Sequence, residues 1–187
     1  GLMYLTGSPD RAPVSLGASQ AYVNAGSQAA LGAMVAYYHR GTTGRGQSVD
    51  VSIQESVVRT LLNALNYWEI RHTNVRRAAP YRTIGGSARQ RLVWLCRDGH
   101  VSFSLWGGAI GAPGNRALVE WMDSEGMAPD FLREMDWSTF DMFLVTQEEL
   151  EKLSQPIGQF FRAHSVAELY QGALKRRIML YPVQTIK

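Results

Sequence analysis

The run Thr43-Gly44-Arg45-Gly46-Gln47-Ser48-Val49-Asp50-Val51-Ser52 constrains this chain more than any other stretch. Gly44 and Gly46 permit positive φ, so the backbone is free to reverse there. Val49, Val51 and Ile53 then alternate with Ser48, Asp50 and Ser52, which predicts a strand over residues 47–53 with one buried face. Residues 21–40 read as a helix rich in small side chains: Ala25, Gly26, Ala29, Ala30, Gly32, Ala33 and Ala36. Gly26 and Gly32 each cost about 1 kcal/mol of helix propensity relative to Ala. Close approach of another backbone, or a ligand near the helix start, offsets that cost. Val23, Met34, Val35 and Tyr38 add an apolar stripe, and Gly41 is the expected C-cap. Downstream, residues 55–72 read as a second helix with Val58, Leu61, Leu62, Leu65 and Trp68 on one face. Helix, strand and helix in that order indicate an α/β layer.

The 187 residues are 45% hydrophobic and 19% charged, enough to bury a core and too apolar for disorder. The net charge of +3 is small. Its two basic clusters, Arg76-Arg77 and Lys175-Arg176-Arg177, are not interleaved with aromatic side chains, which argues against a nucleic-acid partner. No apolar run approaches the ~20 residues that span a bilayer, and no signal-peptide pattern is present, so no membrane partner is expected. Cys96 is the single cysteine, so no disulfide forms within the chain. That fits a reducing, cytoplasmic setting. The chain opens at Gly1-Leu2-Met3 and reads as a piece of a longer protein.

Residues 73–91 change character. They are basic, contain Pro80 and carry Gly85-Gly86-Ser87, and they read as a linker leading to a glycine loop. A hairpin is expected next, with residues 92–96 and 101–105 flanking Arg97-Asp98-Gly99-His100 and Asp98-Gly99 in a type I′ turn. Residues 107–114 read as a flexible glycine-rich loop. It lacks the Lys-Ser/Thr ending of a phosphate-binding loop. Asn115 is the expected cap of a helix with Leu118, Val119 and Met122 inward and Gly126 as its stop. Thr146-Gln147-Glu148-Glu149 and Ser165-Val166-Ala167-Glu168 are capping boxes. The first opens a helix that Pro156 interrupts, or beyond which Pro156 starts another helix ending near His164, and the second opens a helix to about Arg176. Residues 178–183 look extended. The organisation is therefore 1–72 as a segment of a large domain, 73–91 as linker and loop, and 92–187 as a small α+β domain. His39, His72, His100 and His164 show no metal-ligand spacing, so no metal site is expected. Cys96, on an expected strand, reads as buried and inert.

The segment Ala25-Gly26-Ser27-Gln28-Ala29-Ala30-Leu31-Gly32, followed by Thr43–Ser52, resembles the class III CoA-transferases and the related 2-methylacyl-CoA racemases. The hairpin Cys96-Arg97-Asp98-Gly99-His100-Val101 resembles the small-domain hairpin of that family. Arg177-Ile178-Met179-Leu180-Tyr181-Pro182-Val183-Gln184-Thr185 resembles its G-(I/V)-P-x-x-P-V-x-T segment. The resemblance implies part of a Rossmann-like large domain followed by an α+β small domain, in a dimer whose subunits interlock. It implies acyl-CoA and a carboxylic acid as substrates, with coenzyme A entering as a thioester and no separate cofactor. In the family, an aspartate at the start of the small-residue helix attacks the thioester carbonyl. The CoA thiolate leaves and a mixed anhydride forms. The thiolate then attacks the enzyme's acyl carbon and expels the acid, giving an enzyme–CoA thioester.

Counted back from Gly26 and Gly44 without gaps, the aspartate position falls on Tyr22. A phenol is almost wholly protonated at neutral pH and forms no anhydride. The nearest carboxylates, Asp10 and Asp50, do not lie at the helix start. Tyr22 therefore reads either as a packing aromatic at the pocket mouth or as a hydroxyl that orients an acyl group. The resemblance implies further substrate or CoA contacts at Ile53, at Gly85, Gly86 and Ser87 as a lid over the site, and at Gln90. Two kinds of assembly follow: a homodimer, or a heterodimer with a homologue that bears the aspartate. A CoA-binding scaffold without transfer activity is the third reading.

Overall fold

The computed structural model describes residues 1–84 and 88–184. They form two compact units, residues 1–79 and 80–187.

The first unit is helical. After a single turn, α1 (Leu2–Leu5), the long helix α2 (Gln20–Thr43) is followed by α3 (Ile53–Val58), a 3₁₀ turn at Arg59–Leu61, and α4 (Leu62–Arg71). Helix α2 runs past the expected Gly41 and stops at Gly44, whose φ of +72° and N–H to the Arg40 carbonyl (2.8 Å) make it the C-cap. The cost of Gly32 has a visible return. A Cβ there would lie 2.6 Å from Val49 Cγ1, so the chain after the turn folds back against α2 only because residue 32 lacks one. α3 continues that packing on α2.

The strand expected over residues 47–53 does not form. Residues 45–52 are irregular and unpaired, and Ile53 opens α3. Alternation alone does not make a strand. Its N–H and C=O groups need a neighbouring chain, and the described residues of this unit contain no strand. Ser52 instead accepts the Glu55 N–H (3.2 Å) and caps α3. The expected continuous helix over 55–72 is broken by the 3₁₀ turn into α3 and α4. The N-terminal segment is held by Arg77, whose guanidinium donates to the carbonyls of Ser8 (2.9 Å), Tyr4 (3.3 Å) and Arg11 (2.8 Å).

The second unit is α+β. β1 (Tyr81–Ile84) and β2 (Ala88–Arg91) form an antiparallel hairpin within the stretch read as linker. β3 (Val93–Leu95), β4 (His100–Phe103) and β5 (Leu180–Pro182) form an antiparallel sheet in the order β3-β4-β5. Between β4 and β5 come α5 (Gly108–Ser124), α6 (Asp130–Arg133), α7 (Gln147–Ala163) and α8 (Val166–Arg176). α7 packs on β2 and β3, and α8 packs on β5 and α5. The core joins Val101 and Phe103 of β4 and Trp94 of β3 to Ile157, Phe160 and Phe161 of α7. Edge-to-face contacts link Trp94 to Phe161 at 5.5 Å and Trp121 to Phe160 at 5.1 Å.

Both capping boxes form as read, at Thr146 for α7 and Ser165 for α8. Pro156 does not interrupt α7. A mid-helix proline costs about 3 kcal/mol, but Leu150, Leu153, Ile157, Phe160 and Phe161 on its inner face are all buried and hold the helix together across it. The expected loop at 107–114 is mostly the first turns of α5. Gly111 is buried there, and a Cβ on it would meet the Trp106 carbonyl at 2.0 Å, so the glycines permit close packing rather than mobility. Asn115 is accordingly no cap. It is buried inside α5 and donates its amide to the Trp106 carbonyl at 2.8 Å.

The β3–β4 hairpin forms, but its turn is not type I′, which needs positive φ at both central residues. Neither Asp98 nor Gly99 has it. Asp98 instead accepts the Val166 N–H (2.7 Å) at the start of α8, and Arg97 reaches the Ala163 carbonyl and Glu168. Cys96 is buried, and burial beside Asp98 pushes its thiol up to about 11.

Candidate functional site

In the first unit, Tyr22 stands in the first turn of α2, where its N–H meets the Ser19 carbonyl at 2.9 Å. Its side chain is 71% exposed. Ala18 and Ser19, just before α2, both have positive φ, so the chain enters the helix through two consecutive left-handed residues. Ser19 makes no capping hydrogen bond with its side chain. The N-terminal turn of α2 thus carries a phenol but no carboxylate. Asp50 is exposed in the irregular segment, and Asp10 lies beside Ser8, whose hydroxyl hydrogen bond holds its carboxyl below the ordinary value. Ile53 is half-exposed at the first position of α3. Because α3 packs on α2, the structure brings the helices carrying Tyr22 and Ile53 together.

The other positions belong to the second unit. Gly85, Gly86 and Ser87 lie outside the described residues. Gln90, on β2, is buried and donates its side-chain amide to the Leu105 carbonyl at 2.7 Å, tying the β1–β2 hairpin to the end of β4. Among the described residues, no group of three His, Cys, Asp or Glu side chains is placed to hold a metal. No helix among them is long and apolar enough to cross a membrane.

The second unit also holds a cleft of about 760 Å³ that the sequence reading did not isolate. It runs between the β1–β2 hairpin, β3 and α7, and its charged lining is Arg89, Arg91, Arg162 and Glu151. The register places Tyr81 opposite Arg91 and Thr83 opposite Arg89. The Arg89 and Arg91 guanidinium carbons lie 5.0 and 5.2 Å from the Tyr81 ring centroid, and Arg91 donates to the Tyr81 hydroxyl at 2.7 Å. Arg91 also lies over Trp94 at 5.6 Å. The signal was present as arginines two apart, which a strand places on one face. Reading the stretch as linker hid it.

The whole chain, residues 1–187, matches the sequence model of CoA-transferase family III, and the protein belongs to that family. It is 26% identical to the succinyl-CoA:(R)-benzylsuccinate CoA-transferase subunit BbsE of Thauera aromatica, over 98% of this chain and 43% of that protein. It is 37% identical to the succinyl-CoA–D-citramalate CoA-transferase of Chloroflexus aurantiacus over 70 residues, which are 37% of this chain and 17% of the relative. The chain therefore spans less than half the length of the curated relatives it matches. Among solved structures, it is similar over its full length to a CaiB/BaiF family protein from Brucella suis, with a TM-score of 0.66, 18% identity and 46% of that chain covered. It is likewise similar to Rv3272 of Mycobacterium tuberculosis, with a TM-score of 0.67, 14% identity and 45% covered. These likenesses establish a shared fold of the mixed α/β kind.

Proposed function

We propose that the intact protein transfers CoA between an acyl-CoA and a carboxylic acid, as a cytoplasmic enzyme of two interlocked subunits. The single observation that carries this reading is the family match across residues 1–187. The printed names of both curated relatives include succinyl-CoA, which makes succinyl-CoA the first donor to test. In this reading the first unit supplies the acyl-CoA face. The exposed phenol of Tyr22 sits at the entrance and Ile53 packs against CoA, and by resemblance Gly85, Gly86 and Ser87 are assigned the role of a lid. Gln90 is a positioning residue, because its amide fixes the hairpin from which that loop springs.

One observation favours a second reading. The nucleophile position holds Tyr22, and one relative is named as a subunit of its enzyme. In a heteromer, the aspartate comes from a homologous partner, and this chain supplies the other half of the pair. The deciding experiment incubates the intact protein with succinyl-CoA and a carboxylate acceptor, alone and with any copurifying homologue, and follows acyl exchange by mass spectrometry. Exchange that requires the homologue supports the heteromer. Exchange by this protein alone, abolished in Tyr22→Phe, sinks the heteromer reading and gives the hydroxyl a direct role. CoA binding without exchange in any pairing overturns the transferase reading in favour of a scaffold.

A further inference from the structure

We propose that the cleft between the β1–β2 hairpin, β3 and α7 binds a phosphate group, either free or at the end of a larger small molecule. The cleft lies wholly within the second unit, so this inference does not rest on the transfer reading.

Four observations carry it. The first is charge. Three guanidiniums, Arg89, Arg91 and Arg162, line the cleft against one carboxylate, Glu151, which already accepts a hydrogen bond from the Gln147 amide at 2.8 Å. Among the described residues, none of the three arginines forms an ion pair, whereas Arg97 and Arg133 elsewhere in the unit do. The second is arrangement. Two guanidiniums are held against one tyrosine ring, and the Tyr81 hydroxyl fixes one of them. Like charges gathered this closely repel, and an anion between them removes that repulsion. Their side-chain freedom is largely spent before a ligand arrives, so little ordering remains to oppose binding. The third is donor chemistry. Beyond the guanidinium forks, which match phosphate oxygens two at a time, Ser154, Gln155 and Gln159 line the same space with hydroxyl and amide donors. The fourth is size. About 760 Å³ is far more than one phosphate fills and lies in the range of sites for small organic ligands.

The test is calorimetric titration of the intact protein with inorganic phosphate and, separately, with adenosine 3′,5′-bisphosphate. Saturable binding is expected for at least one of them, and Arg162→Gln is expected to weaken it by about tenfold or more. Arg162 suits the test because it is exposed and, among the described residues, its side chain makes no hydrogen bond whose loss would disturb the fold. Arg89→Lys keeps the charge but loses the fork, and an intermediate loss is expected. Arg133→Ala removes a positive charge outside the cleft and is expected to leave binding unchanged. Tighter binding of the bisphosphate identifies a phosphorylated organic ligand, and equal binding identifies free phosphate. Either result, if lost in Arg162→Gln, supports the site. The proposal is overturned if neither ligand binds saturably, if Arg162→Gln binds like the native protein, or if Arg133→Ala weakens binding as much.

Discussion

The two units handle apolar side chains in opposite ways. In residues 80–187, Trp94, Phe103, Trp121, Phe160 and Phe161 point inward and touch one another. In residues 1–79, the buried residues are Ala25, Ser56 and Ala78 among those described, while Met34 and Tyr37 of α2 are 70% and 77% exposed. Val23, Leu31, Val35 and Tyr38 are exposed as well, so α2 shows apolar side chains around most of its circumference. A helix of that kind is stable in water only when other structure covers it. The second unit supplies its own core, whereas the first is built to be covered.

The sharpest way to break this comparison is to separate the units. Residues 80–187 alone are expected to unfold cooperatively in urea, followed by circular dichroism. Residues 1–79 alone are expected to show no sharp transition. A cooperative transition in the isolated first unit would overturn the contrast. Single side chains come next. Phe161→Ala is expected to cost about 3–5 kcal/mol in the second unit. Met34→Ala is expected to fall within about 0.5 kcal/mol in the 187-residue chain. A loss of core size at Met34 in the intact protein would locate the cover over α2.

Smaller effects probe how the second unit's helices begin. Thr146→Ala and Ser165→Ala are each expected to cost about 1 kcal/mol by urea denaturation, since each removes the acceptor for an N3 amide. The last prediction concerns pH. Backbone and side-chain hydrogen bonds from Thr146 and Ser165 hold the carboxyls of Glu149 and Glu168 below the ordinary value of 4.5, with Arg97 and His164 adding to the effect at Glu168. A depressed folded-state value means this support is complete above 4.5 and is lost as pH falls through the folded-state values. The urea midpoint is therefore expected to drop on acidification below 4.5, and the drop should be shallower in Glu149→Gln and Glu168→Gln.

What was legible in the sequence follows how far each signal reaches along the chain. The capping boxes at Thr146 and Ser165 are four-residue devices, and both formed where they were read. The Asp98-Gly99 hairpin was legible in position but not in turn type, because Asp98 is engaged by Val166, far away in sequence. Glycine and alternation both misled. Gly111 looks like loop composition, yet it sits where a helix presses on the Trp106 carbonyl, and only the packed structure reveals that demand. The alternation at Val49, Val51 and Ile53 looks like a strand, but pairing depends on a neighbour that those seven residues cannot announce. At the candidate site, Tyr22 and Ile53 were named from resemblance and lie on helices that pack together. The arginine cleft needed the β1–β2 register and the position of α7, neither of which is encoded locally.

The strand order β3-β4-β5 has a consequence for how this chain is made. The first two strands are contiguous and leave the ribosome together, but the third follows four helices later. Until Leu180–Pro182 emerges, one side of β4 is an open edge with unpaired N–H and C=O groups. The β3-β4-β5 sheet is thus completed only after α5 to α8 have been made, and a nascent chain stalled before that point displays a template for misassembly with its neighbours on the same message.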